Sequence, residues 1–277
     1  MSLLLTDNIT ICKRIGASYI VKMLNNWGYV MNNVELEHVI NTELNVREFQ
    51  DYAPNGLQVE GRPHIQRIIT GVTACQALLD EAVRLEADAI IVHHGYFWKN
   101  ESPVIRGMKR RRLQTLLCND INLYGYHLPL DAHPTLGNNV QLARQMGVKI
   151  IGNIDPLLPH GAFDQPITPA ELTERLEKRL ERKVLHCGDN AREEIRTIAW
   201  CTGGGQSFIE QAAEFGVDAF VTGEVSEKTI HVAREMGIHF YSAGHHATER
   251  YGIKTLGEWL ANHHGLDVTF IDIPNPA

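Results

Sequence analysis

The stretch RIITGVTACQALLDEAVRLEADAIIVHHG, Arg67 to Gly95, returns later in the chain as RTIAWCTGGGQSFIEQAAEFGVDAFVTGE, Arg196 to Glu224. Both copies open on a short β-branched or aromatic run, cross a turn rich in Gly and Thr, follow a helical apolar stripe and close on a second apolar run. The stripe is Leu78, Leu79, Ala82 and Leu85 in the first copy, and Phe208, Ile209, Ala212, Ala213 and Phe215 in the second. Gln76 and Asp88 recur as Gln206 and Asp218, each 130 positions further on, so the register is kept as well as the pattern.

Each copy therefore reads as a strand, helix, strand unit. The closing runs DAIIV and DAFV are almost continuously apolar, as strands covered on both faces by crossover helices must be. A second helix follows in each copy, MKRRRLQTLLCND or SEKTIHVAREMG, and leads into a third strand, INLYGYH or IHFYSAG. The expectation is an α/β fold built by internal duplication, with matching cores at about residues 61–135 and 190–250.

The ionisable residues gather where those strands end. IIVHHG closes one strand with His93 and His94, and the third strands run out near His127 and His245. Asp131 and Glu249 each stand four residues beyond one of these histidines, and the two strand ends read as equivalent. Ligand sites in open α/β sheets form outside the carboxyl ends of the strands. A lone buried histidine is usually a hydrogen-bonded core residue, but five or six at matched strand ends are not explained that way. Neutral imidazole and carboxylate are the donor set of divalent transition metals, and an unpaired buried Asp or Glu would otherwise carry a heavy desolvation cost. Neighbours in a strand point to opposite faces, so His93 and His94 would serve two nearby ions better than one. The two oxygens of Glu249 could bridge such a pair. His246 is expected to face away from His245, and His263 and His264 to lie solvent-facing in a polar linker. His133, His160, His186, His231 and His239 show no partner pattern.

Composition limits the alternatives. A chain of 277 residues, 44% of them hydrophobic, can bury a sizeable core. Its formal net charge of -7 gives no general attraction to nucleic acid or to an anionic membrane surface. Five scattered cysteines without a C-x-x-C pair point away from disulfides and thiolate zinc sites and toward a reducing cytoplasm. No apolar run approaches the roughly 20 residues needed to span a bilayer. Residues 1–30 lack the layout of a signal peptide and are expected to be an upstream extension, with Met31 as the natural start; a docked extra helix is the alternative. Asn33 is expected to cap the first helix of the unit spanning 31–277.

Together DYAPNGLQVEG, IIVHHG, HLPLDAH, TGE and AGHHATE resemble the family of GTP cyclohydrolase type 2 homologues, also called the NGG-interacting-factor family, and within it the short bacterial branch. The resemblance runs from Met31 to the terminal IPNPA. It implies two intertwined α/β halves with mixed sheets, a dinuclear metal site in the cleft between them, and assembly as a toroidal homohexamer. Carried over, the metal ligands are His93, His94, Asp131, His245 and Glu249, with His127 beside them as a candidate proton carrier. Where many members have an aspartate after TG and a histidine pair beyond, this chain has Glu224 followed by VSEKT, so the contacts behind the ligands depart from the family pattern.

Five protein ligands cannot saturate two divalent ions, so water would fill the rest, and the ions would share a bridging water or hydroxide able to act as nucleophile. Zn, Fe, Mn, Ni and Co all suit the donor set. The function expected is metal-assisted hydrolysis of a nucleotide, a pterin-like ring or a phosphorylated small molecule; the alternative is a metal-dependent binding or adaptor ring without turnover. Two further features stay open. TGGGQS, Thr202 to Ser207, is either a phosphate cradle or a tight turn that needs glycine, and KRRR, Lys109 to Arg112, is either an anion funnel or a solvated helix face.

Overall fold

The chain duplicates one arrangement and then exchanges parts between the copies. The computed structural model describes residues 30–277, so the extension expected over 1–30 lies, apart from Val30, outside the described residues. β1 (Met31–Asn32) leads into α1 (Asn33–Glu43), followed by β2 (Gly56–Val59) and β3 (His64–Ile65). The cap of α1 is Asn32 rather than Asn33: the Asn32 side chain accepts from Val34 N–H, while Asn33 is drawn inward to donate to buried Asn122.

The first repeat is β4 (Arg67–Thr73), α2 (Gln76–Arg84), β5 (Ala89–His94), α3 (Gly107–Cys118) and β6 (Asn122–Gly125). α4 (Leu128–Ala132), α5 (Asn138–Met146), the hairpin of β7 (Lys149–Asp155) and β8 (Leu158–Ile167), α6 (Pro169–Leu180) and β9 (Leu185–Cys187) then lead to the second. That repeat is β10 (Ile195–Cys201), α7 (Ile209–Phe215), β11 (Ala219–Thr222), α8 (Glu227–Met236) and β12 (His239–Ser242), closed by α9 (His245–His264) and β13 (Asp267–Phe270).

The β4–β5–β6 and β10–β11–β12 ladders are parallel, and their registers coincide: Ile68 faces Ala89 as Ile198 faces Ala219. Antiparallel β2 borders β6 in one mixed sheet and β9 borders β12 in the other, giving the orders β13-β4-β5-β6-β2 and β7-β8-β10-β11-β12-β9. The register corrects one expected correspondence. Tyr126 N–H bonds Val92 as Ala243 N–H bonds Thr222, so the counterpart of His127 is Gly244, and His245 stands one residue further along.

The helices that follow each repeat cross to the other sheet. Leu142, Ala143 and Met146 of α5 pack with Ile198, Trp200, Val221 and Tyr241 of the second repeat. Ile253, Leu256 and Leu260 of α9 pack with Ile68, Val72, Ile91 and Tyr124 of the first. Burial of such side chains stabilises by roughly 1.5–3 kcal/mol each, so either exchange is worth a large part of a domain's net stability. α5 and α9 meet where Gly252 N–H bonds Asn138 Oδ1 at 3.0 Å, and a Cβ at Gly252 would strike Asn138. The cleft opens between the sheets beside this crossing.

Two smaller expectations are revised. Phe215 leaves the apolar stripe of α7 and is 53% exposed, set against His160. His263 and His264 occupy the last turn of α9 rather than a linker and pack on Trp259. Among the described residues no helix is long and apolar enough to cross a membrane.

Candidate metal centre

The ends of β5 and the start of α9 converge on one carboxylate. The buried His93 ring faces the Tyr126 carbonyl through Nδ1 at 2.9 Å, so this nitrogen donates and Nε2 is left to face Asp131 Oδ1 at 3.4 Å and Glu249 Oε1 at 3.5 Å. On the opposite face of the strand, His94 Nε2 lies 3.2 Å from Glu249 Oε2. His245, in the first turn of α9, brings its Nε2 to the same oxygen at 3.2 Å, the four-residue spacing stacking both side chains on one side of the helix. Glu249 thus turns one oxygen toward His93 and Asp131 and the other toward His94 and His245. Each group, His93 with Asp131 and Glu249 and His94 with His245 and Glu249, has its donor atoms within 4.8 Å of one another.

Other residues orient these. Glu224 Oε1 accepts from His245 Nδ1 at 2.8 Å and its Oε2 accepts from Gln206 at 3.0 Å, so the residue that departs from the resembled pattern supplies a carboxylate that directs His245 Nε2 inward. Asp131 Oδ1 accepts from Asn138 at 2.8 Å and Thr202 at 3.2 Å. His127 Nδ1 donates to Asp51 at 3.0 Å; Asp51 also accepts from the backbone N–H groups of Leu128 and Ala53 and from Asn55. Sequence reading gave Asp51 and Asn138 no role and read Thr202 only as the start of the TGGGQS turn. Asp51 sits in DYAPNG without periodicity, and only the fold brings it to His127. His246 turns away, as expected, to Asp272 at 2.7 Å.

A cavity of about 400 Å³ opens over this cluster, with His94, Asp131, His245 and Glu249 in its floor. The turn TGGGQS forms part of its wall. Gly203 has φ +63°, and a Cβ there would run into Glu249 and His245, so the site needs glycine at this point. Thr202 N–H and Gly203 N–H are already bonded to Asn139 and Thr248, which removes two donors from any phosphate cradle. In the KRRR segment, Lys109 pairs with Glu101 and lies over Phe97, and Arg112 lies over Tyr96.

The electrostatics follow from burying carboxylates among imidazoles. Burial opposes a charge on His93, but Asp131 and Glu249 outweigh it and push the ring up to about 9. His245 follows the same balance, burial against Glu249 and Glu224, and also rises to about 9. Burial prevails at His94, aided by the neighbouring histidines against Glu249, and takes it down to about 3. Glu249 is held well below the carboxylate range despite burial because His93, His94 and His245 surround it, whereas burial raises Asp131. Burial would lift Asp51 too, but its bond to His127, with those from Asn55 and Ala53, brings it to about 2.

The residues fit a bound metal cation. Glu249 Oε2 is fully buried without a hydrogen-bond partner while two imidazole nitrogens stand 3.2 Å away. A carboxylate buried there calls for positive charge beside it, which protonated His93 and His245 supply without metal and a bound cation would supply in their place. Oxygen and imidazole donors suit divalent transition metals.

The comparisons with known proteins show the family. The family described as Duf34/NIF3 (NGG1p interacting factor 3) matches residues 31–276. A Yersinia pestis relative named GTP cyclohydrolase 1 type 2 homolog is 71% identical over 89% of this chain and 100% of its own length. A relative of that name from Escherichia coli K12 is 68% identical over the same shares. The solved structure of the protein ybgI, described as of unknown function, superposes with a TM-score of 0.88 at 68% identity, covering 89% of this chain and 100% of that one. With its whole folded unit matched and its histidines and carboxylates brought to one cleft, the chain belongs to the Duf34/NIF3 family.

Proposed function

We propose that this protein binds two divalent metal ions, one at His93, Asp131 and Glu249 and one at His94, His245 and Glu249, and uses them for hydrolysis of a small molecule in the cavity above. The observation that carries this reading is the divided Glu249 carboxylate, whose buried Oε2 lies 3.2 Å from two imidazole nitrogens without a hydrogen bond among the described residues. When bound, such a pair supplies Lewis acidity and lowers the pKa of water toward neutrality. The chain's own residues do the remainder. Asp51 accepts the Nδ1 proton of His127, leaving Nε2 of this cavity-lining ring as the atom to take up or return a proton. Glu224 and Tyr126 fix the rings of His245 and His93. Leu128, Leu157 and Phe208 give the same cavity apolar lining.

The relatives are named as homologs of a GTP cyclohydrolase, and we take a nucleotide, pterin-like or phosphorylated small molecule as the substrate class. Free Cys75, Cys118, Cys187 and Cys201 support the cytoplasm as the site of action. The exposed Val104, Ile105 and Met108 offer apolar surface for the ring assembly we propose; light scattering of purified protein should report six subunits, and a monomer at micromolar concentration would refute the ring.

Elemental analysis of protein purified without added metal should find two equivalents per subunit, falling to one or none in Glu249→Gln. Metal-loaded protein should hydrolyse some member of a panel of nucleotides, cyclic nucleotides and phosphoesters, with the rate lost in that variant. A flat panel at full occupancy would instead favour a binding or adaptor role.

A further inference from the structure

One wall of the cavity is aromatic and held in place. The Tyr52 and Trp98 ring centroids are 5.7 Å apart, and each ring meets His127 edge-on with centroids 5.0 Å away. Neither ring is spent on core packing: Tyr52 is 53% exposed, and Trp98 is half-buried on the cavity wall.

The loop that carries Trp98 is constrained at several points. Phe97 is left-handed at φ +64°, a conformation costly for a bulky side chain that persists only when its surroundings hold it. Glu101 Oε2 accepts from the N–H groups of Phe97 at 2.8 Å and Trp98 at 3.2 Å, and the indole N–H donates to the Gly95 carbonyl at 3.1 Å. Lys99 N–H donates to the Tyr52 carbonyl at 2.7 Å, tying the segments that bear the two rings. A side chain present only to fill space needs none of this. A rigid aromatic surface beside a polar floor is the usual construction of a site for flat ligands. Among the described residues no lysine or arginine lines the cavity, so recognition there rests on ring faces and on the floor.

We propose that Tyr52 and Trp98 are the specificity-determining residues of this site, and that they select a flat unsaturated ring whose oxygen donors reach down to the His94, His245 and Glu249 floor. This rests on the two-ion reading above and narrows it: the ring, rather than a phosphate chain, is the part the protein recognises.

Three hydroxamic acids test it, since all present the same pair of chelating oxygens. Benzohydroxamic acid carries a flat ring, cyclohexanecarbohydroxamic acid a puckered ring of like size, and acetohydroxamic acid none. Titrated calorimetrically into zinc-loaded protein, the benzo compound should bind about five- to tenfold more tightly than the cyclohexyl one, the gain expected of one favourable ring pair. Trp98→Leu and, separately, Tyr52→Leu should erase most of that preference while leaving acetohydroxamic acid binding within about twofold of wild type. Equal affinity for flat and puckered rings would overturn the proposal, as would variants that keep the preference. A variant that retains zinc but no longer binds acetohydroxamic acid would overturn it too, because the wall would then be structural. If wild-type protein carrying two zinc equivalents binds none of the three, the failure lies with the open metal positions and so with the reading beneath.

Discussion

At the scale of single residues, the arrangement around Glu249 makes the site's dependence on pH definite. His93 and His245 both stand near 9, raised above the ordinary histidine value, so metal-free protein holds protons on these rings at neutral pH. Raised histidines stabilise the fold fully below about pH 6.5 and lose that contribution as pH climbs through the folded value. The metal-free protein should therefore lose thermal stability from pH 6.5 to 9, and the metal-loaded protein should not. Metal binding requires unprotonated nitrogens, so it expels those protons, and affinity should rise up to about pH 9. Calorimetry in buffers of different ionisation enthalpy should find roughly one to two protons released at pH 7; release of none would refute the charged state of His93. The candidate ligands were legible in the sequence as chemistry at strand ends. Their supports were not: Thr202 reaches Asp131 across 71 positions through contact between the repeats, and Asn138, seven residues on, carries no pattern that marks it.

At the scale of elements, the duplication carries a device whose residues the sequence displayed without its purpose. Asp88 Oδ2 accepts from the N–H groups of Gln66 at 3.0 Å and Arg67 at 2.9 Å, and its other oxygen meets Arg62 at 3.0 Å. Asp218 repeats this with Arg196 at 3.0 Å, Thr197 at 2.9 Å and Arg192 at 3.0 Å. Each aspartate, set just before the second strand of its repeat, pins the start of the first. The arginines are largely exposed, 43% for Arg62 and 80% for Arg192, so their ion pairs contribute less than about 1 kcal/mol. The backbone bonds to a mostly buried carboxylate matter more. Asp218→Ala should lower unfolding stability in urea by about 2–3 kcal/mol, and Arg192→Ala by under about 1 kcal/mol. A reversed order would show that the ion pair dominates.

At the scale of the whole molecule, the exchange of α5 and α9 makes the repeats interdependent. A fragment of residues 30–147 keeps four of the five strands of the first sheet but lacks β13 and also Ile253, Leu256 and Leu260, which cover Ile68, Val72, Ile91 and Tyr124. It should be insoluble or unfolded alone, and co-expression with residues 148–277 should recover both chains in one soluble species that binds metal. Independent folding of either fragment would contradict this. The sequence by itself determined the duplicated strand and helix order, the parallel ladders and the gathering of histidines and carboxylates at strand ends, since these are local patterns repeated at constant spacing. Which helix covers which sheet, the one-residue offset between His127 and His245, the Asp51 bond to His127 and the aromatic wall were decided by tertiary structure alone. They depend on contacts between distant segments, and such contacts leave no periodic trace along the chain.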